Sequence, residues 1–118
     1  MSVQVEEVLT YSPEVFIEAT LEDLANKLGL QTEMGKSALK VALENIKLLD
    51  RKQQDYGSGN ITSFGEKGVL VRCVDKTERL KQLVWKSKTA KNETVYDSWQ
   101  DLANYAVIAQ LCNQGDWR

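Results

Sequence analysis

Apolar residues recur at helical spacing in four stretches of the chain, and each stretch is bounded by residues that start or stop helices. The first carries Phe16, Ile17, Leu21, Leu24, Ala25 and Leu28, which lie on one face of a helix. Ser12-Pro13 suits its start, because Ser caps free backbone amides and Pro at the first helical position loses no needed hydrogen bond. Gly29 suits its end. The second stretch, from about Lys36 to Gln54, carries Leu39, Ala42, Leu43, Ile46 and Leu49 and has no internal Gly or Pro. Tyr56-Gly57-Ser58-Gly59-Asn60 breaks it.

Residues 61–67 read as an irregular or short helical connection anchored by Ile61 and Phe64. A third helix follows to about Trp85, with Val69, Cys73, Val74, Thr77, Leu80 and Val84 on its apolar side. Residues 86–91 form a basic, small-residue loop. The fourth helix runs from Asn92, read as its cap, to the region of Asn113 and Gly115. Around its second half Leu102, Tyr105, Val107, Ile108, Leu111 and Cys112 cover most of the circumference, which predicts a buried central element. The expected fold is all-α, a compact bundle of four main helices in one domain. Residues 1–35 supply an N-terminal arm and the first helix packing on the core, and residues 36–118 the main body. Val3, Val5 and Val8 suit a short edge strand or an extended arm.

The polar positions carry a second pattern. Arg72, Asp75, Lys76 and Arg79 fall within an arc of about 100 degrees on the third helix, and Glu93, Asp97, Asp101 and Asn104 within about 80 degrees on the fourth. The acidic line continues into the apolar positions Ile108 and Leu111, so it points partly into the bundle, and carboxylates held there need cations. Two sources of positive charge are open. Arg72, Lys76 and Arg79 can pair with Asp97 and Asp101 in a purely structural network. Alternatively Asp75, Glu93, Asp97 and Asp101 can hold Mg2+, or Mn2+, while the basic residues neutralise a substrate phosphate. Lys52, Asp55 and Tyr56, beside the Gly57–Asn60 turn, add charges, exposed backbone donors and a ring able to stack on a base.

Composition narrows the chemistry. With 118 residues the chain supports one modest core. Its formal charge of −2 gives no strong nucleic-acid signal. It has no histidine, which excludes His-based acid/base catalysis and His-ligated zinc. The two cysteines, Cys73 and Cys112, lie in apolar helical surroundings and read as core residues of a reduced compartment. Acidic Glu6 and Glu7 do not suit a signal peptide, and no stretch reaches membrane-spanning length. The expectation is a cytoplasmic protein, in a bacterium or in a host cell if phage-encoded, with no membrane partner.

Three blocks in order carry a family resemblance: Asp50 to Gly57, Phe64 to Leu80 with Arg72, Asp75, Lys76 and Arg79, and Asn92 to Ala106 with Asp97, Asp101 and Asn104. Over roughly residues 36–115 the chain resembles the nucleotide-modification-associated domain family of phages and bacteria. That resemblance implies a compact helical domain associated with modified-nucleotide metabolism. More distantly the chain is similar to the all-α nucleoside-triphosphate pyrophosphatases, the superfamily of MazG and dimeric dUTPases, whose acidic residues on neighbouring helices bind Mg2+. Their E-x-x-E signature is replaced here by Asp75-Lys76-x-x-Arg79, which removes an acidic ligand and adds positive charge.

The functional expectation is nucleotide binding at a cleft between the third and fourth helices, with Mg2+-dependent nucleoside triphosphate hydrolysis as its catalytic form. Asp97, Asp101 and Lys76 are then the candidate catalytic residues. Asp75, Glu93, Asp97 and Asp101 are the candidate metal ligands, and Lys52, Asp55, Tyr56, Arg72, Arg79 and Asn104 the ligand contacts. The alternative is a non-catalytic phage-type protein that sequesters a nucleotide or docks on a host or viral protein. A homo-oligomer, by default a dimer, is expected because related bundles assemble.

Overall fold

The computed structural model describes residues 13–118, with side chains from Thr20 onward; the arm expected around Val3, Val5 and Val8 lies outside the described residues. The fold is all-α, and no strand occurs among the described residues. Its helices are α1 (Pro13–Lys27), α2 (Glu33–Tyr56), α3 (Gly59–Thr62), α4 (Gly65–Leu80) and α5 (Val95–Asn113). A π-helical turn, Lys81–Trp85, closes α4. None of these helices is long and apolar enough to cross a membrane.

The chain divides into two compact units, one up to Glu44 and one from Asn45 to Arg118. In the first, α1 ends at Gly29, whose positive φ lets its own amide reach the Asn26 carbonyl and the Leu30 amide reach the Ala25 carbonyl. Here α2 starts at Glu33, earlier than the expected Lys36, because the Thr32 hydroxyl accepts a hydrogen bond from the Gly35 amide at 2.9 Å and so caps the first turn.

The second unit holds the main core. Ile61, Val69 and Ile108 are its buried centre, and Leu49, Cys73, Tyr105, Ala109, Cys112 and Trp117 pack around them. Helices α4 and α5 lie along one another. Gly57, at φ 66°, ends α2, and the short α3 then carries Ile61 into the core. Gly68 brings α4 against Phe64, since a Cβ there would stand 2.5 Å from the Phe64 Cβ. Any larger residue would push that ring aside. Leu49 faces the core as expected from the α2 stripe, whereas Ile46 is exposed.

Two differences from the periodicity matter for function. The predicted apolar side of α4 is split: Val69 and Leu80 are buried, but Val74 and Val84 are exposed. The charged positions Arg72, Lys76 and Arg79 are instead half-buried. The physical reason lies on α5, which presents compensating polar groups to that face. The tail also departs from expectation, since Trp117 folds back and donates from its indole Nε1 to the Ser58 carbonyl at 3.2 Å.

Because Ile108 is buried at the centre and its neighbour Val107 is exposed, the two positions separate core packing from helix propensity. Ile108→Ala is expected to lower the unfolding free energy by about 2–4 kcal/mol, and Val107→Ala by less than about 0.5 kcal/mol. Urea denaturation followed by circular dichroism measures both.

Candidate functional site

A capping box sets the geometry at the start of α5. The Thr94 hydroxyl accepts from the Asp97 amide at 3.0 Å, and the Asp97 carboxylate accepts from the Thr94 amide at 3.4 Å. The helix therefore begins at Val95 and leaves Glu93 just before it, where sequence reading placed the cap at Asn92. Asp97 is exposed and engaged in this cap. The buried face of α5 runs instead through Ser98, Asp101, Tyr105 and Ile108, at alternating three- and four-residue steps.

On that face a cluster joins α5 to α4. The Lys76 ammonium lies 2.9 Å from Glu93 Oε1 and 3.0 Å from Asp101 Oδ2. Arg79 donates from Nε to the Ser98 hydroxyl at 3.0 Å and from Nη2 to the Glu93 carbonyl at 2.6 Å. Ser98, fully buried, donates in turn to Glu93 Oε1 at 2.8 Å. A second amine reaches Asp101 from the end of α2, with Lys52 Nζ 3.0 Å from its Oδ1. Both oxygens of Asp101 are thus held by ammonium groups, and the half-buried charges meet the partners that burial demands.

These contacts set the ionisation of the cluster. Burial works against the charged form of Lys76, but hydrogen bonds and attraction from Glu93 and Asp101 outweigh it and hold the ammonium above the ordinary lysine range. Hydrogen bonds from Lys76 and Ser98 hold Glu93 below the ordinary carboxylate range. Burial would raise Asp101, yet Lys76 and Lys52 overcome it and hold this carboxyl low as well.

Next to the cluster is a cleft of about 250 Å³. Lys52, Tyr56 and Gly57 from the end of α2, Asn60 and Arg72 line one part of it, and Asp101, Asn104, Tyr105 and Trp117 another. Asn104 is 7% exposed. Its Nδ2 donates to the Asn45 carbonyl at 3.0 Å, a group that only accepts, so the amide orientation is fixed. Gln100 holds the Asn45 side chain in place, donating to its Oδ1 at 3.0 Å. The other end of Asn104 is unmatched: among the described residues its Oδ1 is buried without a hydrogen-bond partner. Such an atom costs about 1–3 kcal/mol and calls for an explanation.

Arg72 is the other unmatched group. It is half-buried and lines both the cleft and a neighbouring depression of about 420 Å³, which Phe64, Val69, Val71 and Asp75 also border. Among the described residues its guanidinium has no ion-pair or hydrogen-bond partner.

Of the residues singled out in the sequence, Lys76, Arg79, Glu93 and Asp101 come together in the cluster, and Lys52 joins them through Asp101. Lys52, Tyr56, Arg72, Asp101 and Asn104 meet at the cleft. Asp55 is exposed and lies outside the lining, Asp75 borders only the second depression, and Asp97 serves the cap. Asp75, Glu93, Asp97 and Asp101 therefore do not share one position: Glu93 and Asp101 hold a common ammonium, and the other two are engaged or placed elsewhere. Sequence reading missed Ser98, Asn45, Tyr105 and Trp117. Ser98 and Tyr105 were accessible through their spacing from Asp101 and Ile108, whereas Asn45 and Trp117 reach the site only through tertiary folding.

The cluster's contribution to stability is complete above the ordinary carboxylate range and is lost as acid protonates Glu93 and Asp101. On the alkaline side it is complete below the ordinary lysine range and is lost as Lys76 deprotonates. Stability is accordingly expected to stay level between about pH 5 and 10 and to fall on the acid side below about pH 4, with a shallower acid slope in Asp101→Asn. At neutral pH, Lys76→Met is expected to cost about 1–3 kcal/mol, because it leaves two carboxylates facing each other, and Glu93→Gln in the same chain should restore part of it. Urea titrations across pH measure these effects.

Comparison with curated proteins and with solved structures returns no match. Residues 52–112 match the family model described as nucleotide modification associated domain 1, a span that holds the whole Lys76 cluster and every cleft residue except Leu49 and Trp117. The chain belongs to the nucleotide modification associated domain 1 family.

Proposed function

We propose that the protein binds a nucleotide in the cleft, with the phosphate on Arg72 and the base against the aromatic wall of Tyr56, Tyr105 and Trp117. The observation that carries this reading is the pair of unmatched polar groups at one place. Among the described residues the Oδ1 of Asn104, a residue of the cleft wall, is an unused acceptor for a base or sugar N–H or O–H, and the guanidinium of Arg72 is an unused fork of donors for phosphate oxygens. Each solves the problem the other leaves, since a nucleotide carries donors and phosphate oxygens on one molecule. The ring faces add stacking, which is sequence-tolerant and contributes about 1–3 kcal/mol per base. The family description points to the same ligand class.

Mg2+-dependent hydrolysis is the catalytic extension of this reading, resting on Asp101 at the cleft. In that extension a divalent ion would have to share or displace the ammonium groups that hold Asp101 and Glu93. Sequestration without turnover requires no such exchange and is the form that the paired cluster favours.

Isothermal titration with nucleotides, with and without Mg2+, tests the reading. Binding by at least one nucleotide is expected, and Arg72→Gln should weaken it by about ten- to a hundredfold, the worth of a charge-assisted hydrogen bond. No binding by any nucleotide would remove the proposal. Chromatography of the incubated nucleotides reads turnover separately: Mg2+-dependent product that Asp101→Asn abolishes would establish hydrolysis.

A further inference from the structure

The charges around the cleft limit how many phosphate groups it can take. Lys52, Lys76 and Arg79 share two carboxylates, Asp101 and Glu93, and Arg72 adds a cation without a partner among the described residues. Those six groups leave an excess of two positive charges, which the Asp75 carboxylate beside Arg72 lowers to one. A phosphomonoester carries a charge of about −1.5 to −2 near neutral pH, so a single phosphoryl group already uses up this excess. A triphosphate carries roughly twice that charge and needs further cations.

The surroundings of Arg72 work against a longer chain. On one side, within the cleft, stands Asp101, with both oxygens already committed to lysines. On the other, the second depression presents Asp75, one helical turn beyond Arg72 on α4. Asp75 is exposed, and among the described residues its carboxylate has no ion-pair or hydrogen-bond partner. The remaining lining there is largely apolar, from Phe64, Val69 and Val71. A β- or γ-phosphate extending past Arg72 in that direction would meet an uncompensated carboxylate and apolar side chains. Such a repulsive neighbour discriminates between ligands that share their attractive contacts.

We infer that the cleft selects nucleoside monophosphates over triphosphates, with Arg72 holding the single phosphoryl group, Asn104 Oδ1 accepting from the nucleoside, and Asp75 repelling additional phosphates. This rests on the nucleotide-binding reading and sharpens it to one phosphorylation state. No divalent ion is needed for such recognition, because the positive charge already present is enough for a single phosphoryl group.

The experiment is a calorimetric comparison on the full chain, using AMP, GMP, CMP, UMP and dTMP against their triphosphates, each with and without Mg2+. At least one monophosphate is expected to bind about tenfold or more tightly than its own triphosphate in the absence of Mg2+, with an affinity that Mg2+ leaves unchanged. Asp75→Asn, at an exposed position where folding is not at stake, should tighten the triphosphate several-fold more than it tightens the monophosphate. Removing the phosphate by titrating the parent nucleoside should reproduce the loss seen in Arg72→Gln. A triphosphate that binds as tightly as its monophosphate, or that gains affinity with Mg2+, would overturn the selectivity while leaving nucleotide binding intact. An unchanged ratio in Asp75→Asn would overturn the role of that carboxylate, and silence from every compound would remove the nucleotide reading as well.

Discussion

The Lys76 ammonium, shared between Glu93 at 2.9 Å and Asp101 at 3.0 Å, is the interaction on which the second unit's polar architecture depends. Helix α4 carries a row of charge on a face that is half-buried, and α5, with Glu93 just before it, brings two acids and a hydroxyl to the face that meets it. Neither row is tolerable against an apolar surface, since a buried charge without a partner costs several kcal/mol. Together they fix how α4 and α5 sit along each other, because Arg79 must reach Ser98 and the Glu93 carbonyl while Lys76 reaches both carboxylates. The hydrophobic contacts of Val69 and Ile108 supply stability but little direction. Register comes from the charged contacts.

That clasp also sorts the basic residues into two classes. Lys52, Lys76 and Arg79 are occupied with carboxylates, Lys76 and Arg79 half-buried and Lys52 exposed at the cleft. Arg72 lies one turn before Lys76 on the same helix, where no acid of α5 meets it, and it opens on the cleft instead. The same reasoning separates the amides. Asn45 accepts from Gln100 at its Oδ1 and from Asn104 at its carbonyl, while Asn104 spends its donor on Asn45 and, among the described residues, keeps its acceptor unmatched. A rigid network thus leaves one donor group and one acceptor group over. Preorganised, unpaired polar groups beside ring faces are what a small-ligand site requires, and here the structural network produces them as its remainder.

Much of this was legible in the sequence, for reasons that can be named. Helical periodicity located the four main helices, because helices follow local spacing and capping. It also placed Arg72, Lys76, Arg79, Asp101 and Asn104 on facing stripes; of the structural network expected there, the Lys76–Asp101 pair forms, whereas Arg79 pairs with Glu93, and Arg72 and Asp97 stay outside the pairing. The stripe was drawn one position too far round at Asp97, which shares an arc with Asp101 but belongs to the first turn, where backbone amides without helical partners attract a carboxylate more locally. Ser98, the buried hydroxyl of the cluster, lies between Asp97 and Trp99 and looked unremarkable without knowledge of Arg79 opposite. Trp117 closes the cleft from beyond the last helix by bonding to Ser58, a contact between residues far apart in sequence that no periodicity encodes.

The exposure of Val71, Val74 and Leu70 on α4 follows from the same constraint. A helix has one face to give to its partner, and on α4 that face is shared between Val69, Cys73 and Leu80 and the half-buried cations. The apolar residues displaced by this arrangement remain outside, with Phe64 laid over Gly68 beside them. An apolar rim therefore adjoins the charged cleft at Arg72, and Asp75 is the acid set into that rim. A carboxylate so placed contributes nothing to the clasp and has no partner among the described residues. Its effect falls on whatever approaches Arg72 from outside, so the discrimination attributed to it belongs to ligand choice and not to folding.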